Sequence, residues 1–225
     1  MAKKISIAID GPAGAGKRTI ARRLAAEMGY HYVDTGAIYR TVAYFFDLWG
    51  VSPKDIDGIT RYMDELTIRI EYDDEGVQHM IMNGMDVTKD IRTQEISQKA
   101  SIISAHAIVR DMLLDMQREV AQNHNVIMDG RDIGTVVLPD ATVKVFLTAD
   151  AAERARRRCL ELEQRGTPQP FDEVLQDIQQ RDWNDSHRAA APLKRAEDAV
   201  LLDTTHLNFE ESEAALIRII QEKTK

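Results

Sequence analysis

Cysteine is nearly absent: the 225-residue chain holds one, Cys159. No intramolecular disulfide is open to it, and the scarcity fits a reducing compartment, so a cytoplasmic protein is expected. Long apolar runs are also missing. None approaches the ~20 residues of a bilayer span, and no membrane partner is expected. Nor is there a cationic surplus. The net charge is −8 and the pI is near 5.3, which argues against nonspecific nucleic-acid binding as the main task. The six histidines (His31, His79, His106, His124, His187, His206) show no metal-ligand spacing. A Gly-x-Ser-x-Gly elbow is lacking, and so is an Asn-Lys-x-Asp stretch, which disfavours a guanine-specific switch protein. The opening Met1-Ala2-Lys3-Lys4 runs straight into an apolar strand, and no signal peptide is expected.

What is present is a glycine-rich loop in the right setting. Ile5-Ser6-Ile7-Ala8-Ile9-Asp10 reads as a strand. Gly11-Pro12-Ala13-Gly14-Ala15-Gly16-Lys17-Arg18-Thr19 follows, and Ile20-Ala21-Arg22-Arg23-Leu24 opens a helix. Strand, loop and helix together are the context of a phosphate-binding P-loop. The glycines let several N–H groups turn toward one anion, and the helix aims its positive end at the same place. Lys17 adds an ammonium for the β- and γ-phosphates and is expected to face solvent without ligand. A nucleoside triphosphate is the expected ligand, with Mg2+. One position departs from the pattern. Arg18 stands where a Ser or Thr usually offers magnesium a hydroxyl. The hydroxyl comes one residue later, at Thr19, and its direct coordination of a metal is therefore in question.

Along the chain, apolar runs alternate with amphipathic stretches. Strands are expected at Ile5–Ile9, His31–Val33, Val126–Met128, Val143–Leu147 and Val200–Leu202. Helices are expected at Thr19–Met28, Ala37–Trp49, Gln94–Gln122 (with a break near Ala107), Phe171–Trp183 and Glu210–Glu222. This alternation implies an α/β fold: a five-stranded parallel sheet flanked by helices. Ligands bind such sheets at the carboxyl ends of the strands. Two segments break the rhythm. Leu66–Thr88 reads as a small antiparallel β insert, with turns at Asp73–Gly76 and Asn83-Gly84. Glu153–Gly166 is a densely charged helical stretch. The expected organisation is a core of residues 1–62 and 103–225, an insert of 63–102 and a helical lid of 153–167.

Several residues invite chemistry. Val126-Ile127-Met128-Asp129 is an apolar strand ending in an acid, and beside a P-loop such an acid reaches magnesium directly or through water. Thr35 reads as the cap of the following helix. Arg40 either reaches back to a phosphate or rests on the surface. Arg154, Arg157 and Arg158 share one helix face and either pair with neighbouring Glu or close over transferring phosphates. Arg181, Arg188 and Arg195, spaced by seven, could share a side. Trp183 reads as packing. Arginine outnumbers lysine, 19 to 10, which favours bidentate phosphate recognition over point charges.

Certain runs together resemble the bacterial cytidylate kinases, which are nucleoside monophosphate kinases. They are Ile9-Asp10-Gly11-Pro12, Asp34-Thr35-Gly36-Ala37-Ile38-Tyr39-Arg40, Ile91-Arg92-Thr93-Gln94-Glu95, Asp129-Gly130-Arg131-Asp132-Ile133-Gly134-Thr135-Val136-Val137 and Arg188-Ala189-Ala190-Ala191-Pro192-Leu193. The resemblance spans almost the whole chain. It implies a P-loop kinase fold and transfer of the γ-phosphoryl of ATP to CMP, and to dCMP, with Mg2+. It implies that Gly11–Thr19 holds ATP. It implies that Thr35, Arg40, Ser101, Arg110, Arg131, Asp132, Arg181, Asp185 and Arg188 line the monophosphate site. Within that set, Arg40, Arg110 and Arg131 take the phosphate, Ser101 and Asp132 read the cytosine edge, and Arg181 and Asp185 meet the ribose. Arg157, Arg158 and Arg188 bring positive charge to the transferred group, and Lys17 and Arg131 act beside them. Closure of lid and insert would exclude water. A monomer is expected, since no apolar helix face looks spare. Two alternatives stay open: a kinase for another nucleoside monophosphate or small metabolite, and an inactive nucleotide-binding relative disabled by Arg18.

Overall fold

Period-two alternation decides the centre of the molecule. In β1 (Ser6–Asp10), Ile7 and Ile9 face one side of the sheet and Ala8 the other. The computed structural model describes residues 4–224. Met1, Ala2 and Lys3, on which the reading of an absent leader rests, lie outside the described residues, as does Lys225. Strands β2 (His31–Asp34), β6 (Val126–Gly130), β7 (Val143–Thr148) and β8 (Val200–Asp203) join β1 in one parallel sheet ordered β2-β6-β1-β7-β8. The register sets Asp10 against Gly130 and Asp34 against Asp129, so the acids expected at strand ends lie along one carboxyl edge.

Helices cover both faces. On one side α1 (Lys17–Met28) and α8 (Phe209–Lys223) bury Ile20, Leu24, Leu216 and Ile220 against Ile7, Ile9, Val145 and Leu202. Gly29 ends α1 in the left-handed conformation, and its N–H returns to Ala25 and Ala26. On the other side α2 (Thr35–Leu48) buries Ile38, Val42, Phe45 and Phe46. Each such side chain contributes roughly 1.5–3 kcal/mol by leaving water. The stretch expected at Gln94–Gln122 is broken where foreseen, into α4 (Gln94–Ile103) and α5 (Ala107–Asn123).

The insert is antiparallel as expected: β3 (Ile68–Tyr72), β4 (Gln78–Met82) and β5 (Met85–Asp86). Asn83 and Gly84 make its second turn with φ of 49° and 83°, a pattern that Asn-Gly supplies. A helix α3 (Ile56–Tyr62) precedes it, unforeseen because its seven residues show too short a period to read. The insert does not stand apart. Met80, Met82 and Val87 lie in the same apolar cluster as Ala8, Phe45 and Phe46. By contrast α6 (Ala151–Gln164) and α7 (Phe171–His187) share a small cluster of their own, Ala155, Leu162, Val174 and Ile178.

Several expectations need correction. Thr35 is not the cap of α2; Asp34 is, accepting from the Ala37 N–H at 2.8 Å. The Arg181, Arg188 and Arg195 row does not exist as a helix face, because α7 stops at His187. Trp183 is exposed and stacks on His187, with ring centroids 4.6 Å apart, so it packs into no core.

Gly11 is held by space. A methyl there would lie 1.9 Å from the Leu147 carbonyl oxygen, at a φ of +151°, whereas Gly16 has nothing within 4 Å. The Gly11→Ala variant is expected to lose about 2 kcal/mol or more, and Gly16→Ala only about 1–2 kcal/mol for its positive φ. Urea midpoints of the two variants check the order.

Candidate active site

The loop after β1 and the loop after β6 meet at the carboxyl edge, and one carboxylate joins them. Asp10, the last residue of β1, is buried and accepts from the backbone N–H groups of Ile133 and Gly134, both at 2.7 Å. These two open a single wide turn, Ile133–Val137. The glycine loop and the Arg131-Asp132 segment are thereby fixed to each other. Burial pushes the Asp10 carboxyl up to about 6, against the two N–H groups that favour its charge.

Lys17 does not face solvent. Its ammonium is buried and donates to the carbonyls of Gly11 at 2.7 Å and Pro12 at 2.8 Å. The expectation of an exposed lysine overlooked those two carbonyls, which are the nearest acceptors once the loop curls. Burial, then the nearby Arg131, lower its pKa to about 7. Asp129 lies behind it, with Oδ1 accepting from the Tyr32 hydroxyl at 2.6 Å. Burial, then Asp34, raises Asp129 to about 6. The Thr35 hydroxyl donates to the Asp129 carbonyl at 2.7 Å, so its bond goes to backbone.

Across the cleft, arginines and aspartates are interleaved. Arg131 Nε donates to Asp185 Oδ2 at 2.7 Å. Arg188 Nη1 lies 4.0 Å from the other Asp185 oxygen and its Nη2 is 3.3 Å from Asp132 Oδ1. Arg110 Nη2 donates to Asp132 Oδ2 and Arg110 Nη1 to the Ser104 carbonyl. Arg131 and Arg188 therefore face the same space. Arg188 is gripped by its own turn, with Nε donating to the carbonyl of Ala191, a non-glycine residue at φ 48°. A cavity of about 180 Å³ opens beside Asp132, lined by Tyr39, Arg110, Leu114 and Ala191. Ser101 Oγ, Arg181 Nε and Arg40 Nε are buried with no partner, an arrangement that folded proteins seldom leave without a reason.

Asp34 is the part that sequence reasoning passed over. Its Oδ2 meets Arg40 Nη2 at 2.9 Å, Arg18 Nε at 3.5 Å and Arg92 Nη1 at 3.8 Å. Burial alone would raise its carboxyl, but Arg40, Arg18 and Arg92 outweigh it and hold the group below the usual range. Gln78 of the insert clasps the Asp34 backbone, with Oε1 accepting from its N–H at 2.7 Å and Nε2 donating to its carbonyl at 3.4 Å. Only Asp34's place at a strand end could have marked it.

The arginine face of α6 divides. Arg154 is buried and turns under the glycine loop, donating to the Ala13 carbonyl at 2.9 Å and pairing with Asp182 at 2.7 Å. Arg157 donates to the Thr204 carbonyl at 2.6 Å and to that of Leu207 at 3.3 Å. Arg158 pairs with Glu161 at 2.7 Å. Neither Arg157 nor Arg158 rests on Asp132 or Asp185.

Magnesium fits as a substrate-borne ion. Among the described residues no group of three or more His, Cys, Asp or Glu could hold a metal alone. Both Asp10 oxygens are taken, whereas Asp129 engages Tyr32 through one oxygen. Mg2+ commonly binds through one or two carboxylates plus phosphates and waters. Thr19 is exposed at the loop's end.

Comparison with known proteins gives the family. The family model described as cytidylate kinase matches residues 7–222. A cytidylate kinase of Lactobacillus johnsonii is 47% identical over 98% of this chain and 96% of its own length. That of Carboxydothermus hydrogenoformans is 48% identical over 96% and 97%, and that of Shouchella clausii is 43% identical over the full length of both.

A phosphate arriving beside Lys17 favours the ammonium and raises its pKa from about 7. Binding of a magnesium-loaded, non-hydrolysable ATP analogue at pH about 8 is therefore expected to take up a proton. Calorimetry in two buffers of different ionisation enthalpy reads this directly, and equal apparent enthalpies would refute it.

Proposed function

The chain belongs to the cytidylate kinase family, and from that premise we propose that it transfers the γ-phosphoryl of ATP to CMP and dCMP, giving ADP and CDP or dCDP. The observation that carries the reading is that three of the buried groups left without a partner, Ser101 Oγ, Arg181 Nε and Arg40 Nε, belong to residues that the family resemblance gives to the acceptor site. Each gains a partner when a phosphate, a ribose and a base enter together.

The donor occupies the Gly11–Thr19 loop, whose N–H groups and helix end cradle its phosphates. Lys17 leaves the Gly11 and Pro12 carbonyls for the phosphate oxygens. Asp129, through water, would hold Mg2+, with Thr19 a weaker second, and the ion would supply positive charge to offset that of the donor phosphates. The acceptor phosphate lies among Arg40, Arg110 and Arg131. It is already an anionic nucleophile, so no residue need serve as base, and positioning and charge neutralisation carry the rate.

Base choice rests on Asp132. Arg110 and Arg188 hold it by both oxygens, which fixes its orientation as an acceptor. A cytosine amine donates to such a group. A uracil carbonyl in the same place would meet a carboxylate with no proton between them. Ser101 supplies a hydroxyl of either polarity, and Arg181 and Asp185 face the ribose.

Closure belongs to the lid. The pair α6–α7 has a small cluster of its own, whereas the insert is part of the main core. Arg158 exchanges a half-buried Glu161, a pair worth about 1 kcal/mol, for the transferred group. Arg157 gives up the Thr204 and Leu207 carbonyls. Arg18 does not disable the loop in this reading, because its side chain leaves the phosphate cradle for Asp34.

An assay of ADP formation with CMP, dCMP, UMP and AMP tests the proposal. CMP and dCMP are expected to exceed UMP and AMP in kcat/KM by about a hundredfold or more; preference for AMP would overturn it. Lys17→Ala is expected to cost about a thousandfold in kcat, and retained turnover would contradict the role given to Lys17.

A further inference from the structure

Arg18 is fixed by its backbone to the donor loop, next to Lys17, yet its charged end lies elsewhere. Nε is 3.5 Å from Asp34 Oδ2, the oxygen that also accepts from Arg40 at 2.9 Å and faces Arg92 at 3.8 Å. Three guanidiniums from three separate segments converge on one carboxylate oxygen. A carboxylate has few lone pairs, and each guanidinium carries five N–H donors, so most of those donors remain unclaimed. Arg40 Nε is buried and unpartnered. Asp129, the other carboxylate against this cluster, is engaged by Tyr32, and the cations outnumber the two acids. Of the three side chains Arg18 is the most exposed, 46% against 18% for Arg40 and 32% for Arg92. It is the one with room to swing. Surplus guanidinium donors around a single acid are the chemistry of a phosphate dianion site.

We propose that Arg18 is a further phosphate-binding residue of the acceptor site, resting on Asp34 until the phosphate dianion of the incoming nucleotide takes over its guanidinium. The inference rests on the reading of this cleft as a nucleoside monophosphate site. Its consequence is a cross-link: a residue anchored in the donor loop grips the acceptor. A small side chain at this position could not reach. No bond is made or broken by the swing; one ion pair is exchanged for another.

Direct binding tests it on the full chain. CMP, cytidine and a magnesium-loaded non-hydrolysable ATP analogue are titrated by calorimetry into the parent, Arg18→Ala and Arg18→Lys. In Arg18→Ala the CMP affinity is expected to fall about tenfold, with cytidine and the ATP analogue changed by less than about twofold. Arg18→Lys, which keeps the charge, is expected to recover part of the loss, and ligand-free melting temperatures should match the parent. Unchanged CMP affinity in Arg18→Ala would overturn the proposal. So would a loss confined to the ATP analogue, which would assign Arg18 to the donor. A parent that ignores CMP but binds another monophosphate would sink the substrate assignment alone. Arg18 is then judged on that nucleotide against its nucleoside, with the same tenfold loss expected.

Discussion

The Asp10 carboxylate is the constraint on which the rest depends. It ends the central strand, and its two oxygens hold the backbone of the turn that carries Arg131 and Asp132. One buried acid thus sets the spacing between the glycine loop and the Arg131-Asp132 segment, the parts that the proposed function gives to donor and acceptor. In-line transfer tolerates little error in that spacing. An amide in its place would accept at one atom and present a donor to a donor at the other. The acid is kept despite the desolvation that raises its pKa to about 6.

The cleft around it is built from charges that answer one another before any substrate binds. Asp185 holds Arg131, Asp132 is shared by Arg110 and Arg188, and Asp34 is shared by Arg40, Arg18 and Arg92. Isolated arginines at this density would repel one another. The aspartates relieve that repulsion and fix each fork in direction. Under the proposed function a phosphate entering the cleft would meet donors already oriented, their ordering cost met in folding.

Much of this was legible from residue order, for stated physical reasons. The five strands carry alternating or continuous apolar residues, and the glycine loop sits between strand and helix, so the sheet, its carboxyl edge and the loop's place at that edge follow. The Asn83-Gly84 turn and the break near Ala107 were equally plain. The partners were not. Arg154, Arg157 and Arg158 share one face of α6, and nothing in their spacing says that Arg154 will go under the loop to Ala13 while Arg157 goes to Thr204. Those acceptors are 141 and 47 residues away. Lys17 misled for a related reason: its acceptors are backbone carbonyls, which every residue has, so composition cannot single them out. Asp34 looked like one more strand end until Arg18, Arg40, Arg92 and Gln78 were seen to converge on it.

Met80 and Met82 place the insert's β4 in the same oil as Phe45 and Phe46. This has an evolutionary consequence. A lineage cannot shed the three-stranded segment as one removes an appendage, because its loss would strip the cover from α2 and from the edge strand β2. Shortening this protein would require new large side chains on α2 and α4 at the same time. The segment is retained by the folding of the whole chain.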